Sequence, residues 1–161
     1  MRVDIRPARE QDQSAITAMI RQARLNPANV HWSRFVVAER DRRIVGVAQV
    51  RRHADGAHEL ASLAVEPSAR GHGVATRLVD ALLRDQAAAV YTLIDRPFVD
   101  HFRQWGFAEI IPRQLPRSVR RVYRTGRVVT TVAAILVRRR IRIVPLRRPA
   151  ARASTPAEAQ A

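Results

Sequence analysis

The sequence predicts a layered α/β (α+β) domain in which antiparallel strands lead into a β-α-β unit. Three observations carry this. Short β-rich runs separated by polar turns fill the first half, an amphipathic helix follows a glycine-containing loop at Ala69–Ala75, and an apolar run comes directly after that helix. The chain has 161 residues, 47% of them hydrophobic, which is enough for one domain with a real core.

Val3–Arg6 reads as a first strand closed by Pro7, and Ala15, Ile16, Met19, Ile20 and Ala23 recur at helical spacing within Glu10–Arg24. Asn26-Pro27 ends that helix. Phe35–Glu39 and Ile44–Arg51 form a hairpin across Arg40–Arg43, and the Asp-Gly turn signal at Asp55-Gly56 makes Glu59–Val65 the next antiparallel strand. Val74, Leu78, Ala81, Leu82 and Ala88 trace one helical face, with Arg77, Asp80 and Arg84 opposite. Ala89–Ile94 then returns as a parallel strand through a right-handed crossover.

Phe98, His101, Phe102 and Trp105 have helical spacing, Gly106 stands where a C-terminal cap glycine belongs, and Phe107–Ile111 resumes as a strand. From Leu115 to Arg139, the stripe of Val119, Val122, Tyr123, Gly126, Val129, Ala133, Leu136 and Val137 reads as a basic amphipathic helix; Val128–Val137 reads equally as a buried strand. Ile141–Leu146 is the last strand. The expected organisation is a single domain over residues 1–147, with 112–147 its basic helix-plus-strand part and 148–161 a disordered tail.

Composition removes several chemistries. There is no cysteine, so disulfides and thiolate nucleophiles are excluded. All 29 basic residues are arginine, so no lysine can serve a Walker-type phosphate loop or a Schiff base. His53, Asp55 and His58 straddle the Asp-Gly turn with no further strong ligand nearby and read as turn residues, so no metal is expected. No apolar run reaches the ~20 residues that span a bilayer, and MRVDIRPARE carries no apolar leader pattern, which points to a cytoplasmic protein.

The net charge of +15 is uneven. Residues 1–111 hold 16 Arg against 13 acidic residues, whereas residues 112–161 hold 13 Arg against Glu158 alone. The stretch 113–148 would be drawn to an anionic membrane surface or to RNA, or it is a helix packed by its apolar face with solvated arginines outward.

ARGHGVA sets Gly71 and Gly73 at the start of a helix, with Arg70 at the entrance. Such a loop offers free N–H groups and the positive helix end to a phosphate, or it is turn punctuation alone. Without lysine it is no Walker loop. With Thr76 at the third glycine position and Glu66–Arg70 as a spacer, it departs from the dinucleotide fingerprint as well.

SLAVEPSARGHGVATRLVDALL closely resembles motif A of the GNAT superfamily of acyl-CoA N-acetyltransferases, Gln/Arg-x-x-Gly-x-Gly/Ala, and HFRQWGF at His101–Phe107 resembles its motif B. The Leu-Pro segment after motif B is similar to that of N-acetylglutamate-synthase-like members. The resemblance covers roughly residues 2–111. It implies a GNAT-type mixed, splayed central sheet flanked by helices and an acetyl-CoA-dependent N-acetyltransferase acting on a primary amine by direct attack on the thioester. Acetyl-CoA is then the acyl donor, its pyrophosphate on Arg70, Gly71, His72, Gly73, Val74, Ala75 and Thr76 and its pantetheine arm along Leu63, Ala64 and Val65.

The resemblance further implies that the backbone N–H of Leu63 serves the oxyanion, at a position where such strands bulge. Glu59 matches the base glutamate of some members, with strand alternation setting it on the face of Leu63; an exposed strand residue is the other reading. The usual acid tyrosine of motif B is here Phe102, which cannot donate a proton. Tyr91 and His101 are the candidate substitutes; otherwise water reprotonates the thiol or the thiolate leaves unaided. A non-catalytic GNAT-like module that binds acyl-CoA and associates with an anionic membrane surface or RNA through its Arg-rich C-terminal segment is the alternative, and a homodimer is an open arrangement for either.

Overall fold

A computed structural model describes residues 2–125 and 142–151. Seven strands form one sheet: β1 Asp4–Pro7, β2 Phe35–Arg40, β3 Arg43–Arg52, β4 His58–Val65, β5 Val90–Asp95, β6 Ala108–Glu109 and β7 Ile143–Arg148, in the order β1-β2-β3-β4-β5-β7-β6. Every neighbouring pair is antiparallel except β4 and β5. Helices α1 (Gln13–Gln22), α2 (Val74–Leu83), α3 (Val99–Phe102) and α4 (helical over 117–125) pack on the two faces. This is the mixed, open sheet flanked by helices that the sequence led us to expect. Among the described residues, no helix is long and apolar enough to cross a membrane.

Alternation along β2 divides the faces. Phe35 and Val37 meet Ile16, Met19 and Ile20 of α1, together with Val47 and Ala64. Ala38 points the other way, to Val74 and Leu78 of α2. A Cβ at Gly46 would stand 3.0 Å from both Leu78 Cδ1 and Val74 Cγ1, so glycine permits α2 to lie this close to the sheet. Farther along α2, Val79 and Leu83 join Leu60, Val90, Val99, Phe102, Phe107 and Leu146. The fourth cluster, Ala57, Leu115, Val119 and Tyr123 with Tyr91 and Leu93, seats α4 on the β5–β7 half of the face that carries α1.

Several expectations need correction. Glu10–Asp12 is a 3-10 turn, and α1 begins at Gln13. The helix after the glycine loop stops at Leu83, so Ala88 lies outside it, and Val79 and Leu83 supply buried contacts instead. Phe98 is 53% exposed, and α3 is a single turn that passes into a 3-10 turn, Arg103–Trp105, ended by Gly106 at φ 77°. The strand expected over Phe107–Ile111 shrinks to two residues. The final strand extends to Arg148, which pairs with Val90, and so Arg148 is part of the sheet rather than the tail. Helix is seen at 117–125; residues 126–141, where the rest of the basic helix or the Val128–Val137 strand was expected, and 152–161 of the tail lie outside the described residues.

Candidate active site

The central feature is an opening in the sheet. β4 and β5 pair over only three positions, His58 with Val90, Glu59 with Tyr91 and Leu60 with Thr92. The pairing ends at Leu60, and among the described residues no strand pairs with the β5-facing edge of Ala61–Val65. The same stretch of β4 carries a bulge: Gln49 pairs with Ala61 but Val47 with Ala64, so β4 holds one residue more than β3. Ser62 absorbs it at φ 58°.

The end of β4 leads into the glycine loop. Gly71 and Gly73 have φ 75° and 72°, a left-handed conformation that costs an L-residue about 1–2 kcal/mol. A Cβ on either would meet nothing within 4 Å, so conformation rather than crowding calls for glycine. Gly73 caps α2 without any side-chain bond, and among the described residues no acceptor meets the N–H groups of Gly71 through Thr76. Arg70 Nε donates to the Val65 carbonyl at 3.1 Å, and His72 Nδ1 lies 2.8 Å from the Arg70 carbonyl. Uncapped N–H groups, the positive end of a ten-residue helix and a guanidinium at one loop form an anion cradle. It continues directly from the open edge of β4. The donor set therefore fits a phosphate-bearing ligand whose remainder lies along the strand.

On the α1 face, Gln49, Arg51 and Glu59 are 0%, 4% and 3% exposed. Glu59 Oε2 lies 2.7 Å from His53 Nε2 and 3.9 Å from Arg51 Nη1. Arg51 Nη2 donates to the Ala28 carbonyl at 3.2 Å, so the α1–β2 connection lies over this row. The bulge changes the relation expected between Glu59 and Leu63. Leu63 packs its side chain with Leu82 on the α2 side, whereas Glu59 faces α1, because the extra residue reverses alternation between them.

Tyr91 stands beside Glu59 across the parallel pair, with its ring packed against the α4 cluster. Phe102 is 5% exposed, edge-on to Trp105 and Phe107 at 5.4 and 5.6 Å. Trp105 Nε1 donates to Asp80 Oδ1 at 2.6 Å and pins this aromatic group to α2. His101 lies on the exposed side, 3.5 Å from Thr76 Oγ1, and so neighbours the cradle rather than Glu59. His53, Asp55 and His58 separate: His53 faces Glu59, Asp55 accepts from Ser118 N and Oγ at 3.0 and 2.7 Å, and His58 meets the Gln86 amide. Among the described residues, no three ligands converge on a metal position.

The family model described as acetyltransferase (GNAT) domain matches residues 31–109, a span that holds β2 through β6, the bulge and the glycine loop. Residues 31–109 are a GNAT domain. N-acetylglutamate synthase from Neisseria gonorrhoeae, complexed with coenzyme A and N-acetyl-glutamate, superposes with a TM-score of 0.73 at 23% identity over 94% of this chain and 36% of that one. The chain thus spans about a third of that protein. Rv2747 from Mycobacterium tuberculosis, in complex with CoA and NLQ, gives 0.65 at 22% identity over 92% and 99%. Diaminobutyrate acetyltransferase EctA from Paenibacillus lautus, with its substrate and coenzyme A, gives 0.58 at 16% over 91% and 93%. At these identities the likeness establishes the fold. No curated protein sequence matches the chain.

Set in the GNAT fold, motif A supplies the open loop and the start of α2, while motif B supplies the aromatic group behind the opening. Sequence reasoning placed Arg70–Thr76 and Leu63–Val65 in one continuous strand-loop-helix unit, and the structure has them so. It missed Gln49, Arg51 and His53 around Glu59. Polar residues alternating along β3 read as a solvated strand face, and only the depth of the sheet reveals their burial.

Proposed function

We propose that this GNAT domain is an acetyl-CoA-dependent N-acetyltransferase that transfers the acetyl group to a primary amine. One observation carries the reading: the uncapped Gly71–Thr76 loop follows, through the short turn at Pro67–Ala69, an edge of β4 that is unpaired among the described residues, so a single unit offers both a pyrophosphate cradle and a rail for an extended arm. Arg70 and the N–H groups of the loop would hold the pyrophosphate, and Leu63, Ala64 and Val65 the pantetheine. Bound acetyl-CoA supplies the thioester carbonyl. The Leu63 N–H, beside the bulge, would hold the negative charge that develops on its oxygen.

Glu59 is the base. An amine enters mainly as ammonium and must lose a proton before it can attack, and Glu59 takes that proton directly or through one water. His53 at 2.7 Å and Arg51 fix the carboxylate's position. Tyr91, adjacent to Glu59, is the candidate for returning a proton to the departing thiolate. A second reading, an acyl-CoA-binding module without turnover, is favoured by Phe102, which stands at the usual acid position and is packed among aromatic rings.

The test is acetyl transfer to a library of amines, read by released CoA thiol. The protein has no cysteine, so every thiol counted is product. Thiol release with an amine, lost in Glu59→Gln, supports the enzyme. Acetyl-CoA binding without release from any amine favours the module, and absence of acetyl-CoA binding overturns both.

A further inference from the structure

We infer that Gln49 is a positioning residue whose amide clips Ser62 in the β4 bulge and so holds the Leu63 N–H toward the β4–β5 opening. The inference rests on the proposed acetyl-CoA site. Ser62 is neither glycine nor asparagine, yet it sits at φ 58°, a conformation unfavourable to a residue with a Cβ that persists only when its surroundings enforce it. Gln49 Nε2 donates to Ser62 Oγ at 2.9 Å across the two strands. A hydroxyl both donates and accepts, so either orientation of the amide makes this bond.

Gln49 is completely buried, and its Oε1 has no partner among the described residues. A fully buried amide spent on one bond is a poor device for stability alone, since the face around it already packs Val37, Val47 and Ala64. Its bond goes to the residue that makes β4 one longer than β3. The slip falls between Val47 and Gln49 on one strand and between Ala61 and Ala64 on the other, so the clip and the bulge occupy the same rung. Leu63 follows Ser62 directly, and the direction of its N–H is set by the Ser62 backbone. Releasing the clip lets Ser62 relax toward extended geometry and turns that N–H back toward β3.

The readout is the ratio of acetyl-CoA to CoA affinity, measured by calorimetry. The two ligands share the pyrophosphate and arm and differ in the thioester carbonyl that Leu63 would meet. In Gln49→Leu, CoA binding stays at the wild-type level while acetyl-CoA weakens about fivefold, the scale of one hydrogen bond. Ser62→Ala, which removes only the hydroxyl of a half-buried side chain, gives the same shift and serves if the Gln49 variant folds poorly. Adding Ser62→Gly to Gln49→Leu restores the ratio, because glycine holds a positive φ without the clip. An unchanged ratio in both single variants overturns the inference and leaves the acetyl-CoA site standing. A wild-type protein that binds neither ligand overturns the site and the inference with it.

Discussion

Glu59 and Leu63 stand on opposite faces of β4, because Ser62 between them takes a left-handed conformation and adds one residue to the strand. Glu59 therefore faces α1 with Arg51 and His53, while the Leu63 side chain packs toward α2. In the proposed reaction the acceptor would reach Glu59 from the α1 side, while the acyl donor would follow the edge of β4 beside the Leu63 N–H.

Removing the base tests that division. Glu59→Gln keeps the shape and can still bond His53, but it cannot take a proton. We expect turnover with an accepted amine to fall about 10²- to 10⁴-fold, as for loss of a general base, with acetyl-CoA affinity within twofold of wild type. Steady-state kinetics and calorimetry measure the two effects separately.

The glycine loop makes a conformational prediction. At Gly73, φ 72° with open space around the Cβ position means that Gly73→Ala pays for backbone conformation alone, about 1–2 kcal/mol. Thermal melting should show that loss. If the loop relaxes instead, its N–H groups leave the cradle and CoA affinity falls with little change in melting temperature.

Asp12 and His58 contribute to the pH dependence of stability in predictable directions. The Arg6 guanidinium, 2.7 Å from Asp12, holds the Asp12 carboxyl below its ordinary 3.8. That contribution is complete above pH 4 and is lost as pH falls through the folded-state value; Asp12→Asn removes about 2 kcal/mol at pH 7 and flattens the acid limb. Burial, aided by the charge of Arg52, holds His58 below its ordinary 6.5. The unfolded chain then takes a proton more readily than the native one, so stability declines as pH falls below 6.5. Urea melts between pH 5 and 7.5 should show a smaller decline in His58→Gln.

Phe102 bears on the acid question. Its ring lies in the cluster of Leu60, Val79, Val99, Phe107 and Leu146, edge-on to Trp105. Phe102→Tyr places a hydroxyl at the edge of an apolar group, at a cost of about 1–3 kcal/mol if it finds no partner. We expect a lower melting temperature and unchanged turnover; a gain in turnover would mean that the ring position is open to the thiol.

The order of elements was legible because periodicity is a local signal. Ile16, Met19 and Ile20 on one helix and Val74 and Leu78 on another announce two apolar faces, and these five are buried, whereas Ala23 and Ala88, read on the same faces, lie beyond the helix ends and are exposed. Gly71 and Gly73 marked the loop for the same reason. The bulge was expected only from the family resemblance, since serine at position 62 carries no turn signature and its bonding partner, Gln49, lies thirteen residues earlier. Strand alternation therefore put Glu59 on the wrong side of Leu63. The bond of Asp55 to Ser118, which ties the β3–β4 turn to α4, spans 63 residues and leaves no local trace.

The central claim is that one strand-loop-helix unit holds acetyl-CoA. Amide NMR of the full chain during titration with acetyl-CoA tests it most directly. The expected result is saturable shifts concentrated at Gly71–Thr76 and Leu63–Val65. Saturable shifts confined to other segments, or none at millimolar acetyl-CoA, would contradict it.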